Sequence, residues 1–365
     1  MSPWLFSRTI DVAAFGGSAA LALVALAVGW HFGWLDGEKA DTPEWTWIVG
    51  VLLIDVAHVW STLFRVYLDP DEFRRRPGLY LLVPVAGLVV GVGLYSMGPV
   101  VFWRCLAYLA VFHFVRQQYG WVMLYRAKCN ERDRRGKVLD AATIYLATIY
   151  PLVHWHAHLP RRFWWFLKGD FERIPTLASD LLEPFYWLAL AVYFLRSVWR
   201  RKHESANPGK DLVVFTTALC WYVGIVAINS DYAFLVTNVV IHGIPYLVLV
   251  YWYGWVREKA TVAGLSEAGP RANHIRTIAI FIASVWVLAF AEELLWDKLV
   301  WKERGWLFGP GWNGSDWKWL FVPLLALPQL THYVLDGFIW RRRANPGFTL
   351  VNGYLRAGSV SDGQA

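Results

Sequence analysis

The chain has 365 residues, of which 56% are hydrophobic and only 17% are charged. This balance excludes an ordinary soluble domain and indicates a polytopic membrane protein. The net charge of +7 does not predict a nucleic-acid partner, because the basic residues cluster in short loops between apolar segments, where they set membrane topology. The 24 tryptophans are typical of a chain that meets the membrane interfaces many times.

About ten apolar segments have the roughly 20-residue length that is needed to cross a hydrocarbon core. The first is interpreted as a membrane helix rather than a signal peptide, because its apolar run is long and no small-residue cleavage site follows it. YSMGP (95–99) and NSD (229–231) predict tight turns between antiparallel neighbours. The segments are 10–30, 46–67, 79–97, 100–125, 141–159, 182–200, 211–229, 232–254, 275–296 and 317–340.

The loops between these segments alternate in charge. One side receives most of the Lys and Arg residues, as in RRRPG (74–78) and RAKCNERDRRGK (126–137), whereas the other side is rich in tryptophan. The positive-inside rule therefore places both termini in the cytoplasm. The predicted fold is an all-α, polytopic helix bundle in a bacterial cytoplasmic (inner) membrane. It has a single transmembrane domain over 1–343 and a short, disordered polar tail over 344–365.

Four histidines lie inside even-numbered segments, which all cross the membrane in the same direction: His58, His113, His242 and His332. At 1.5 Å per residue, their distances from the cytoplasmic ends place them in one layer about 8 Å deep. Polar residues lie three or four positions from each histidine, and therefore on the same helix face. These partners are Asp55 and Thr62 for His58, Gln117 for His113, Asn238 for His242, and Gln329 and Asp336 for His332.

A metal-bound imidazole usually donates its second ring nitrogen to a carboxylate or an amide. The pattern therefore predicts an intramembrane metal site with the four histidines as ligands, oriented by Asp55, Gln117, Asn238 and Asp336. Imidazole suits iron, copper and zinc, and an added carboxylate favours non-haem iron. The alternative is that the same groups only join helices by hydrogen bonds.

A second polar group, Arg65, Arg116 and Asp336, lies near the inner membrane boundary. It is expected either to bind an anionic group at the mouth of the site or to form ion pairs between helices. Glu292 and Glu293, at the outer end of their segment, are expected to be interfacial rather than catalytic.

The stretch HWHAH (154–158) places His154 and His158 four residues apart, with His156 between them. Two histidines at this spacing on a helix are able to hold a metal ion together. The alternative is a tryptophan-flanked helix end at the membrane interface.

Two of the histidine motifs, DVAHVW at His58 and IHGIPY at His242, resemble the Pro-His-Gly-type sites of the Brp/Blh family of bacterial membrane dioxygenases, which cleave β-carotene. The resemblance implies that single histidines from separate helices hold one iron. The set HVWSTLFRVYLD, HFVRQQYGW, HGIPY and THYVLDGFIWR also resembles an uncharacterised bacterial membrane family. Of the histidine boxes of fatty-acid hydroxylases and desaturases, the chain has HxxxH at His154 and His158 but no HxxHH.

The sequence therefore predicts a membrane-embedded non-haem iron oxidoreductase that acts on a lipophilic small molecule or lipid. It does not indicate a protein partner. Three alternatives remain open. The chain could bind a single haem or another transition metal. It could be a proton-coupled transporter or channel that uses the same polar layer. It could also be a structural subunit whose polar groups only hold helices together.

Overall fold

The computed structural model of the chain describes residues 2–35, 42–204, 206–262, 270–313 and 315–341; for 255–262, 270–274 and 315 only the backbone is described. Helices make up 81% of the described residues, which contain no β-strand. The predicted polar tail lies outside the described residues. The all-α fold class predicted from the sequence is confirmed.

The helices of the described residues are numbered here in chain order. They are α1 (Arg8–His31), α2 (Glu44–Tyr67), α3 (Pro70–Arg75), α4 (Pro77–Met97), α5 (Pro99–Lys128), α6 (Arg134–Ala157), α7 (Leu177–His203), α8 (Pro208–Ala227), α9 (231–262), α10 (270–301), α11 (Gly305–Phe308), α12 (Lys318–Leu325) and α13 (Leu327–Ile339). Wide, π-helical turns form parts of α1, α2, α8, α9 and α10.

Eight of these helices are long and apolar enough to cross a membrane, namely α1, α2, α4, α5, α7, α8, α9 and α10. The prediction of a multi-pass membrane protein is therefore confirmed. The two other predicted segments are also helical. Segment 141–159 falls on α6, and segment 317–340 is divided at Ala326 into α12 and α13, which have 8 and 13 residues. Neither α12 nor α13 alone has the length of a membrane span.

Both predicted tight turns are present. Gly98 separates α4 from α5. Its φ of 141° is a backbone conformation that residues with a side chain rarely adopt. Ser230 precedes α9, and its hydroxyl accepts a hydrogen bond from the backbone N–H of Ala233, which caps the helix. Asp133 caps α6 in the same way by accepting from the N–H of Gly136 at 2.7 Å.

The chain divides into two compact units. The first consists of Met1–Gly50 and Val111–Pro245, and the second of Val51–Ala110 and Tyr246–Ala365. The single transmembrane domain predicted for 1–343 stays a prediction, as does the cytoplasmic placement of both termini.

Close contacts between helices in the first unit depend on glycine. A Cβ atom at Gly29 of α1 would overlap the ring of Tyr232 on α9, and one at Gly224 of α8 would overlap the hydroxyl of Thr237 on α9. Because glycine lacks a side chain, these helices pack at a distance that any other residue would prevent.

The first unit also buries a group of charged side chains between α5, α6 and α8. The ammonium of Lys210 lies 2.7 Å from Oε2 of Glu131 and 2.8 Å from Oδ2 of Asp140. Arg126 pairs with the same two carboxylates, and Asn207 donates to Glu131 at 2.7 Å. Because each charge has opposite charges and hydrogen bonds around it, the network can remain buried.

In the second unit an apolar core joins α2, α9 and α10. Its fully buried members include Ala57 on α2, Tyr246 and Val250 on α9, and Val285 on α10. On the outer face of α4, large apolar side chains remain exposed, as expected for a surface that faces lipid: Leu81, Leu82, Val85 and Val89.

Candidate metal centre

His58 and His332 are paired in the second unit. Both side chains are fully buried, and their ring centroids lie 4.9 Å apart with the ring planes 84° from parallel. The ring of Tyr246 meets both of them edge to face, at 5.7 Å from His58 and 5.1 Å from His332. Helices α2, α9 and α13 therefore bring two of the four predicted ligands together around one aromatic ring.

Each of these two histidines has a polar partner at its Nδ1 atom. Nδ1 of His332 lies 2.7 Å from Oγ1 of Thr62, and Nδ1 of His58 lies 3.5 Å from Oδ1 of Asp55. Asp55 is thus found beside the histidine that the sequence predicts. The hydroxyl of Thr62, which the sequence predicts as a partner of His58, contacts a histidine of another helix. A ring that is held at Nδ1 presents Nε2 on its opposite side, as metal-bound imidazoles do.

His113 and His242 form a second pair, in the first unit. Both are buried, and their ring centroids lie 5.1 Å apart at an interplanar angle of 86°. The ring of Phe114 lies flat against His242, with the centroids 3.5 Å apart. Nε2 of Gln117 donates to the backbone carbonyl of His242 at 3.0 Å. The amide that is predicted to orient His113 therefore fixes α9 beside α5 at the level of the second histidine.

Asn238 lies one turn before His242 and is buried. Its Nδ2 atom donates to the carbonyl of Phe234 at 3.2 Å and to the hydroxyl of Thr237 at 3.0 Å. These hydrogen bonds hold the amide against its own helix. The orienting role that the sequence predicts for Asn238 at His242 stays a prediction.

π-helical stretches adjoin two of the histidines. His58 lies in the α-helical turn Ala57–Trp60, between the π-helical stretches Trp47–Val56 and Leu63–Tyr67. Another π-helical stretch, Leu235–Val239, directly precedes the turn that carries His242. Such stretches have more residues per turn than an α-helix and often occur at functional sites. Both histidines therefore lie directly beside a widened helical turn.

Glu292 and Glu293 are buried within the protein, with 4% and 8% of their surface exposed, whereas their position at the membrane interface stays a prediction. The carboxylate of Glu292 accepts hydrogen bonds from three N–H donors. These are the indoles of Trp60 at 2.7 Å and Trp296 at 3.1 Å, and the amide of Gln329 at 2.8 Å. These donors replace water, which makes the burial tolerable.

Gln329 therefore binds Glu292, although the sequence predicts it as a partner of His332. The presence of two adjacent acids inside an apolar segment is the signal that identifies Glu292 as a functional candidate. Nothing in the sequence singles out Tyr246, whose ring lies between the two histidines of the second unit.

Arg65 and Asp336, predicted near the inner mouth of the site, have partners within the second unit. The guanidinium of Arg65 is fully buried and lies 2.9 Å from Oε2 of Glu72, and it donates to the carbonyl of Ile339 at 2.8 Å. Asp336 accepts a hydrogen bond from the indole of Trp340 at 2.6 Å. The acidic partner of Arg65 is thus Glu72 on α3, a residue that the sequence interpretation does not select.

Arg116 differs from Arg65 because it is exposed. Its guanidinium donates to the hydroxyl of Tyr145 and lies 4.8 Å from the ring centroid of Tyr119. The binding of an anionic group by Arg65 or Arg116 stays a prediction.

In the HWHAH stretch, the rings of His154 and His158 stack with their centroids 3.9 Å apart at the end of α6. Nδ1 of His154 lies 3.2 Å from the hydroxyl of Ser179, and Nδ1 of His158 lies 2.8 Å from the carbonyl of His154. His156 points elsewhere, with Nδ1 2.6 Å from the carbonyl of Leu152. The alignment of the first and third histidines, and not the second, agrees with the predicted spacing.

Comparison with protein-family models, with characterised proteins and with solved structures finds no match to this chain. The function must therefore be inferred from the residues and their geometry.

Proposed function

We propose that the protein is a membrane-embedded non-haem iron oxidoreductase of a bacterial cytoplasmic membrane, acting on a lipophilic small molecule or lipid. His58, His113, His242 and His332 are the proposed ligands. The observation that carries the proposal is that all four are buried in pairs, with ring centroids 4.9 Å apart in one unit and 5.1 Å apart in the other.

The donor set fits a transition metal. His58, His113 and His332 each offer a buried ring nitrogen that is suited to a metal ion. Imidazole suits iron, copper and zinc, and the carboxylate of Asp55 beside His58 favours iron among them. When bound with an open coordination position, iron would supply the activation of dioxygen.

The surrounding side chains have defined roles in this proposal. The hydroxyl of Thr62 accepts the Nδ1–H of His332, and the carboxylate of Asp55 lies 3.5 Å from Nδ1 of His58, so that Nε2 of each ring keeps its lone pair for the metal. The rings of Tyr246 and Phe114 pack against the histidines and exclude water from them. Neither ring supplies a charge, which leaves the imidazoles as the donors.

The experiment is the simultaneous measurement of bound metal and of the optical spectrum, on protein purified in mild detergent without added metal. We expect about one or two irons per chain and no Soret band. The double variant His58→Ala/His332→Ala should lose the metal, whereas His203→Ala, at an exposed histidine of α7, should retain it. Stoichiometric metal in the double variant contradicts the proposed ligands, and a Soret band favours the haem alternative.

A second candidate, a proton-coupled transporter, is favoured by one observation. Glu292 and Glu293 are buried in α10, one of the eight candidate membrane spans, and intramembrane carboxylates commonly mark proton pathways. Absence of metal after anaerobic reconstitution with ferrous iron, together with uptake into liposomes driven by a pH gradient, supports this candidate. Loss of that uptake in Glu292→Gln would place the carboxylate in the pathway.

A further inference from the structure

The second unit contains an apolar cavity beside the histidine pair. Its volume is about 310 Å³, and its walls come from α2, α4, α12 and α13. None of the ten residues that line it is charged, and the polar side chains among them are Trp60, Thr62, Tyr67 and Thr331. The indole of Trp60 and the hydroxyl of Tyr67 already donate hydrogen bonds, to Glu292 and to the carbonyl of Tyr80. A water-soluble or ionic ligand would therefore find few partners there.

The cavity follows from the break between α12 and α13. Pro323 lies inside α12, and Pro328 lies in the first turn of α13, on either side of Ala326. Proline cannot donate a backbone hydrogen bond and disrupts a continuous helix. The two short helices therefore do not fill the space beside Pro84 of α4, which also lines the cavity.

The cavity reaches the outer apolar surface of the second unit. Leu324, one of its lining residues, is 44% exposed. On α4, which carries Pro84, Leu81 and Val85 are 56% and 61% exposed, as expected for side chains that face lipid. A hydrocarbon chain in the bilayer thus has an apolar route to the cavity.

At its inner wall the cavity is one side chain away from the histidine pair. Thr62 lines it, and the hydroxyl of Thr62 lies 2.7 Å from Nδ1 of His332. Trp60 lines it too, and its indole N–H donates to Glu292. An occupant of the cavity therefore touches the residues that hold the proposed ligand and the buried acid.

We infer that this cavity binds one hydrocarbon chain of a membrane lipid, which is the substrate class of the proposed oxidation. The volume lies at the lower end of the range for ligand pockets, about 300 to 1,000 Å³, so it suits a single chain rather than a fused ring system. The assignment of the hydrocarbon chain as the substrate rests on the proposed function, whereas the binding of that hydrocarbon chain in the cavity does not.

The test uses the full chain in lipid nanodiscs that contain a phospholipid with a photoreactive diazirine on one acyl chain. After irradiation, mass spectrometry maps the labelled residues, and the metal content of the same sample is measured. We expect labelling within 59–67 and 324–331. In Thr331→Phe, which adds a ring to the cavity, that labelling should fall about tenfold.

Two further variants make the result decisive. Leu324→Trp narrows the mouth at a partly exposed position and should also reduce labelling. Leu81→Phe, on the outer face of α4 and away from the cavity lining, should leave it unchanged. Labelling that is confined to the outer face, or that neither cavity variant reduces, overturns the inference.

The metal measurement separates the two proposals. Labelled cavity residues in a protein that binds no metal support the lipid pocket and refute the metalloenzyme. Metal that persists in Thr331→Phe while the labelling is lost supports both. Metal without any labelling of the cavity refutes the lipid pocket alone.

Discussion

The hydrogen bond between Thr62 and His332 offers the most direct test of the candidate site. Replacing the threonine by valine keeps the shape of the side chain and removes the hydroxyl that lies 2.7 Å from Nδ1 of His332. Both residues are buried, with 5% and 0% of their surface exposed, so water does not replace the lost partner. The imidazole is then left with an unsatisfied nitrogen and a less restricted ring.

The expected magnitude follows from this geometry. Leaving a buried polar group without its hydrogen bond costs about 1–3 kcal/mol. Removing a side chain that orients a metal-bound histidine typically costs about 10- to 100-fold in metal affinity, which corresponds to about 1.4–2.7 kcal/mol. The cost of the lost hydrogen bond and the loss in metal-binding free energy are thus of similar size. We expect Thr62→Val to weaken ferrous iron binding by about one to two orders of magnitude.

The assay is anaerobic competition for ferrous iron between the protein and a chromophoric chelator. Thr62→Ser keeps the hydroxyl and should bind iron nearly as tightly as the native protein. Thr331→Val removes a hydroxyl of the same size from the neighbouring cavity and should also retain the metal. The reasoning is refuted if Thr62→Val binds iron as tightly as the native chain, or if Thr331→Val loses as much affinity.

Two further predictions concern buried charges outside the histidine pairs. Glu72→Gln leaves the fully buried guanidinium of Arg65 without its carboxylate and should destabilise the protein by about 3–5 kcal/mol, whereas Asp71→Asn, at an exposed position, should change little. Thermal unfolding in detergent measures both, and equal losses would contradict the importance of the pair. Burial raises the pKa of Glu131. The charge of Lys210 and the hydrogen bonds that the Glu131 carboxylate accepts outweigh this effect and hold the pKa below its ordinary value of 4.5. The pKa of Glu131 is therefore lower in the folded protein than in the unfolded chain. The stabilisation that its ionised carboxylate contributes is complete above the unfolded pKa and is lost as the pH falls through the folded pKa. Glu131→Gln should therefore unfold at a temperature that depends less on pH in the acid range, and an unchanged dependence would count against the network.

The sequence by itself determined the fold class and the identity of the candidate ligands. Runs of about 20 apolar residues require helices in a membrane, because a helix satisfies its own backbone hydrogen bonds. Ionisable groups inside such runs are costly, so His58, His113, His242 and His332 stood out without any knowledge of the fold. Asp55 was also identifiable, because its contact with His58 is local to one helix turn.

Only the tertiary structure decided which groups meet across helices. Thr62 binds His332 rather than His58, Gln329 binds Glu292 rather than His332, and Arg65 pairs with Glu72 on a short neighbouring helix. Helical periodicity predicts neighbours on one face of one helix, but it carries no information about which faces of separate helices come together.

Helical periodicity likewise does not predict which side chains are buried by other helices or where a cavity forms between helices. Glu292 is near the end of its apolar segment, where an interfacial position is the ordinary expectation, yet three N–H donors from other positions enclose it. The apolar cavity exists because the chain breaks between α12 and α13 beside Pro84, a gap that no single segment encodes. Both features are products of packing, in which the shape left between helices matters as much as the residues on each one.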